Sequence, residues 1–232
     1  MTFSEKVISF YNTLEFTGVL PPGISIMNPF RDNPAVLTVT RNFYTKFYSD
    51  HDPRFLILGI NPGRFGAGTT GIPFTDTIRL NEKCRIPFDA YRTYEPSSVF
   101  VYELIEAFGG VHAFYGKFFV SAICPLGFTR QNNKGKAVNF NYYDSQALTK
   151  AVYGFILESL EKQVGLGIDI SVCYCLGTGR NEDFLRRLNE RYRIFKTIIG
   201  LEHPRYIMQY KSSQKQHYIG KYLAALNHPN NS

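Results

Sequence analysis

The sequence predicts a single α/β domain of three layers, α/β/α, with helices on both faces of a central, mainly parallel four-stranded sheet. Four short apolar runs, residues 55–60, 118–123, 170–176 and 194–201, have the continuous hydrophobicity of strands buried on both faces. Helical patterns separate these runs, and strands joined through helices pair in parallel by right-handed crossovers. With 232 residues, 44% apolar and 19% charged, the chain can bury one substantial core. The domain is expected to run from residue 1 to 232, with only the closing NHPNNS reading as a loose tail.

The helices follow from caps and periodicity. Thr2 and Glu5 stand at capping-box spacing ahead of Val7, Phe10, Tyr11 and Leu14, which share one face. Pro96 near the start and Gly109 past the end bracket a helix carrying residues 99–108. Leu148, Val152, Phe155, Ile156 and Leu160 recur at helical spacing in a segment starting near Asp144. After Gly179, Glu182 and Asp183 fall in a first turn, where the helix dipole favours negative charge. The last helix begins near Ser213 and buries Tyr218, Ile219, Tyr222, Leu223 and Leu226.

Composition narrows the function. Cys84, Cys124, Cys173 and Cys175 match neither a paired zinc motif nor an iron–sulfur run, so all four are expected to be reduced. Cys173 and Cys175, two apart on a strand, share one buried face. MTFSEKVISFYN has no leader pattern and no apolar stretch is long enough to span a bilayer; a soluble, intracellular monomer without a membrane partner is expected. A formal charge of +7 favours a polyanionic partner, although by itself it fits a merely soluble basic protein equally well.

In parallel sheets ligands bind beyond the carboxyl ends of the strands. Three distinctive loops are expected there, residues 61–76, 124–141 and 202–213. Residues 59–76 read GINPGRFGAGTTGIPFTD, in which Gly63, Gly66 and Gly68 meet neither the phosphate-loop nor the dinucleotide spacing. Residues 201–213 read LEHPRYIMQYKSS and set a histidine at a strand end.

Taken in order, Gly59-Ile60-Asn61-Pro62-Gly63, Thr70-Gly71-Ile72-Pro73-Phe74, Cys124-Pro125-Leu126, Gly177-Thr178-Gly179-Arg180 and His203-Pro204 resemble the uracil-DNA glycosylase superfamily, and within it the single-strand-selective monofunctional branch. The resemblance spans roughly residues 54–226. It implies a base-excision repair enzyme that binds single- or double-stranded DNA, flips a damaged base and hydrolyses its glycosidic bond with no cofactor or metal. Asn61 then orients the attacking water and His203 donates a hydrogen bond to the departing base. An amide cannot take the water's proton, so Asn61 positions and is no general base. Phe74 is the aromatic floor under the base, otherwise an ordinary core phenylalanine; Asn61 alone would read as a turn residue before proline. Gly59, Ile60, Gly63, Phe65 and Ala122 join Phe74 around the base, while Arg205, Tyr206, Lys211 and Ser213 contact DNA. Lys215 and Lys221 either extend that basic face or are solvated surface. Asp76 reads as a loop or cap aspartate.

Two departures bear on specificity. The family follows H-P with serine and a second proline, whereas here Arg205-Tyr206-Ile207-Met208 follows. Where the family reads the uracil edge with asparagine, this chain has Ala122, which has no side-chain donor or acceptor. Asn132, Asn133, Asn139 or Asn141 would be the replacement amide. The alternatives are a DNA-binding module of the same fold with altered or lost catalysis, and an unrelated α/β enzyme acting on a nucleotide or other small molecule.

Overall fold

A computed structural model describes residues 1–88 and 92–227; residues 228–232 of the expected tail lie outside the described residues. The amino-terminal half contains α1 (Phe3–Asn12), β1 (Ile24–Met27), α2 (Pro29–Asp32), α3 (Pro34–Phe47), β2 (Arg54–Gly59), α4 (Ala67–Thr70), α5 (Thr77–Glu82), α6 (Pro96–Phe108) and α7 (Val111–Lys117). There follow β3 (Phe118–Ala122), β4 (Gly127–Gln131), β5 (Ala137–Phe140), α8 (Gln146–Val164), β6 (Ile168–Leu176), α9 (Arg180–Tyr192), β7 (Thr197–Leu201), α10 (Pro204–Tyr210) and α11 (Lys215–Asn227).

The four apolar runs are the strands of one sheet, ordered β3-β2-β6-β7 and parallel throughout. Alternate side chains feed two cores. Ile57, Val120 and Tyr174 meet Val101 and Leu104 of α6, Phe114 of α7 and Tyr222 of α11. On the opposite face, the Phe119 ring packs against Phe3, Tyr44 and Tyr48. The three layers are therefore those expected from the alternation of strand and helix. Thr2 and Glu5 form the expected capping box of α1 and Gly109 closes α6 with φ of 119°, while Ser145, next to the expected start near Asp144, caps α8. All four cysteines are free and buried. No helix among the described residues is long and apolar enough to cross a membrane.

Two expected loops carry more structure than their composition indicated. Residues 124–141 contain the β4–β5 hairpin, which pairs with β1 as a second, antiparallel sheet of order β1-β4-β5. Residues 202–213 contain α10, with Pro204 at its first position. Beyond the strand ends, Ile123 and Cys124 donate backbone hydrogen bonds to the carbonyls of Gly59 and Ile60, so the β2 and β3 exits stay paired as they enter their loops.

Asp76 fastens the first of those loops. Its buried carboxylate caps α5 through Arg79 N–H at 2.9 Å, pairs with the Arg79 guanidinium at 3.0 Å and accepts Glu95 N–H at 2.8 Å. The cap reading of this aspartate agrees with its position. Asp76→Ala should lower stability in urea unfolding by about 2–4 kcal/mol, because a cap and a buried charge pair are lost together. Asp76→Asn should cost less than half as much, and equal costs for the two variants would contradict this role for the charge.

Candidate active site

The carboxyl ends of β2 and β3, the Gly59–Asp76 segment and the start of α10 enclose a cleft of about 240 Å³. Asn61, Phe74 and His203, far apart in the sequence, all line it, with Gly59, Ile60, Gly63, Ala122, Arg205 and Tyr206. Among the other expected residues, Phe65 is 52% exposed and stacks on Arg64 at 5.0 Å, outside the lining. Lys211 and Ser213 lie just past α10 and are not part of the lining either.

The main chain sets the orientation of Asn61. Its Oδ1 accepts Tyr142 N–H at 3.1 Å, and its Nδ2 donates to the Phe140 carbonyl at 3.3 Å and the Pro62 carbonyl at 3.4 Å. These partners fix which end of the amide is oxygen. Tyr142 is itself held, because its hydroxyl donates to Asn181 Oδ1 at 2.9 Å and Asn181 Nδ2 donates to the Leu176 carbonyl at 3.1 Å. The glycine-rich turn after β6 thus acts at a distance: it starts α9 so that Asn181 steadies the peptide gripping Asn61. Among the described residues Oδ1 accepts this one hydrogen bond, which leaves its second lone pair free.

Phe74 stands on unusual backbone, with φ of 52°, a region that side chains other than glycine rarely enter. Ser98 of α6 holds it there, donating Oγ–H to the Phe74 carbonyl at 2.7 Å and accepting Asp76 N–H at 2.9 Å. The ring reaches the cleft only because β2 ends in glycine: a Cβ on Gly59 would stand 3.0 Å and 3.1 Å from two ring carbons. The His203 ring lies 5.6 Å from the Phe74 ring, tilted by 52°.

His203 occupies the N-cap of α10, and its Nδ1 accepts Arg205 N–H at 3.1 Å. An unprotonated Nδ1 puts the ring proton of the neutral imidazole on Nε2, as a donor. Burial, and secondarily the Arg205 charge, push the imidazole pKa down to about 3, so it stays neutral where DNA is handled.

Ala122 leaves its stretch of wall without a side-chain hydrogen-bonding group. Of the four candidate asparagines, Asn141 lines the cleft. Asn139 accepts Arg64 N–H at 3.1 Å. Asn132 is a turn residue accepting Lys134 and Lys136 N–H, and Asn133 is exposed in the hairpin. Lys215 and Lys221 pair with Glu103 and Glu202 at 2.6 and 2.7 Å. Glu95, Tyr143, Gln209 and Tyr210 line the cleft without having been anticipated. For Glu95 the weak signal was a glutamate directly before the helix-starting Pro96, a place where shorter cap residues are favoured.

The model of the uracil DNA glycosylase superfamily matches residues 45–227. Among solved structures, wild-type SMUG2 of Pedobacter heparinus is similar along the whole chain: 56% identity, 100% of each chain covered and a TM-score of 0.97. No curated protein matches the chain.

Nitrogen NMR of imidazole-labelled protein should show His203 as the Nε2–H tautomer, neutral from pH 8 down to about pH 4. The unfolded chain would bind a proton near pH 6.5 and the folded one only near pH 3, so this group takes stability away as pH falls through that interval. An imidazolium at pH 6 would contradict the assigned tautomer and charge.

Proposed function

The chain belongs to the uracil DNA glycosylase superfamily, and we propose that its cleft receives a uracil or related modified base flipped out of DNA, with Asn61, Phe74 and His203 as the working residues. The protein is a monofunctional DNA glycosylase, a hydrolase of N-glycosidic bonds. The observation that carries the residue roles is the convergence of an amide, an aromatic face and a neutral imidazole donor in one cleft.

Breaking the bond between base and deoxyribose leaves positive charge on the sugar and negative charge on the base. His203 Nε2–H answers the second, as a preorganised donor aimed at the oxygen where charge develops. Its neutrality matters, since the group is already set as a donor and undergoes no proton uptake during the reaction. Phe74 offers the base a π-face, a platform that every base can use. Asn61 holds the water with the free lone pair of Oδ1, while its clamp to Phe140 and Tyr142 keeps that lone pair from turning away. Positioning of this kind replaces the entropy cost of catching water in the transition state.

Arg205 and Tyr206, exposed at the start of α10, and Lys211 and Ser213 beyond it contact the flanking strand, the cation neutralising phosphate and the ring offering a stacking surface. In this reading the chain acts as a single-domain monomer in the compartment that holds DNA. Ala122 cannot select a base edge, so discrimination rests on main-chain groups and Asn141, and a wider lesion range than uracil follows.

Oligonucleotides carrying uracil, hydroxymethyluracil, hypoxanthine or xanthine, cleaved with alkali after incubation, test this directly. Uracil should be excised. His203→Ala and Asn61→Ala should each slow single-turnover excision by about 100-fold or more while leaving DNA affinity intact. No abasic product from any lesion at enzyme excess would falsify the assignment.

A further inference from the structure

Among the described residues, one carboxylate on the cleft is left unused by the residue roles above. Glu95 ends the segment before α6, its backbone N–H held by Asp76 Oδ2 at 2.8 Å. Its side chain is 13% exposed and lines the cleft. Two glycines make room for it. A Cβ on Gly66 would stand 2.0 Å from Oε2, and a Cβ on Gly63 would stand 3.3 Å from Oε1. The same point beside Gly63 lies 3.2 Å from an Arg205 guanidinium nitrogen and 3.4 Å from Asn139 Nδ2. Asn139 adjoins Phe140, whose carbonyl holds the Asn61 amide. The carboxylate therefore comes to the loop two residues past Asn61, on the side that faces the cleft.

Its partners are few for a group so enclosed. Among the described residues its carboxylate oxygens accept no hydrogen bond, and its nearest cation is Arg205 at a loose 3.9 Å. A carboxylate serving only to anchor structure collects donors, as Asp76 does a few ångströms away. One left without them in a cleft is placed to take a proton.

We infer that Glu95 is the proton acceptor for the water that Asn61 positions, an assignment that rests on the glycosylase reading of the cleft. The step balances as follows. The bond from sugar to base breaks and its electron pair leaves with the base, whose anion His203 stabilises. Water oxygen bonds to the sugar carbon, and one water proton passes to a Glu95 oxygen. That proton then returns to the released base or to solvent, restoring the carboxylate. Asn61 cannot perform the transfer, since an amide holds water without accepting its proton.

The charge state suits the task. Burial raises the Glu95 pKa to about 7; Arg205 opposes the rise and Asp76, itself paired with Arg79, adds to it. Besides Arg205, the titratable groups on the cleft among the described residues are His203, neutral in this range, and Tyr143, Tyr206 and Tyr210. Excision should therefore need Glu95 deprotonated, rising with pH to a plateau above about pH 7.

Single-turnover excision of uracil at saturating enzyme, followed from about pH 5.5 to about pH 8.5, tests the inference. E95Q should retain the melting temperature, lose about 100-fold in plateau rate and lose the rising limb, and E95D should recover part of the rate. R205A should move the wild-type limb to higher pH, since the charge opposing the rise is gone. E95Q with a wild-type rate and limb overturns this inference alone. Wild-type protein inert on every lesion overturns it together with the glycosylase reading.

Discussion

The site depends on one constraint: Asn61 is gripped by main chain from a segment about 80 residues further on. The Phe140 carbonyl and the Tyr142 N–H take the two ends of its amide. A side-chain amide left to solvent would sample several rotamers, and in the role proposed for Asn61 holding a water in place would then carry an entropic penalty at every turnover. Here the ordering is completed when the protein folds. The β4–β5 hairpin delivers Phe140, and Tyr142 is anchored through Asn181 to the last residue of β6. The antiparallel sheet and the glycine turn after β6 thus serve the amide without touching a substrate.

Phe74 and His203 are fixed by equally local means. The strained backbone of Phe74 is held by Ser98, and its ring occupies space that any side chain on Gly59 would claim. His203 uses one nitrogen to cap α10, which leaves the other as a donor. A strand end, a helix start and a left-handed residue are rigid mounts, and catalytic geometry needs such rigidity. The electrostatics are sparing. The imidazole is neutral, and Glu95 is the one carboxylate among the described residues that line the cleft.

Much of this architecture is legible in the sequence. Strands buried on both faces write themselves as apolar runs, and the four runs found all four strands of the parallel sheet. Capping chemistry located α1, and the Pro96 and Gly109 pair located α6, because these signals are local. The β4–β5 hairpin escaped notice because its residues 129–139 are polar and largely solvated; only Gly127, Phe128 and Phe140 are buried there. The seven-residue α10 is too short to show a period. That Asn61, Phe74 and His203 would meet in one cleft is legible because their motifs sit at strand ends. Phe65, expected around the base, lies outside the cleft lining, since a glycine-rich loop does not declare which way each residue faces. Glu95 left only the weak mark of a long side chain at a cap position, since its enclosure by Gly63, Gly66 and Arg205 exists only in three dimensions.

A crystal structure with DNA carrying 2′-fluoro-deoxyuridine, whose fluorine disfavours positive charge on the sugar and so slows cleavage, tests the central claim most directly. The uracil ring should lie against Phe74, with His203 Nε2 in hydrogen-bonding distance of a base oxygen and a water on Asn61 Oδ1 behind the sugar carbon. A nucleotide still stacked in the DNA, or a base seated away from Phe74 and His203 while the enzyme is bound, would contradict the account.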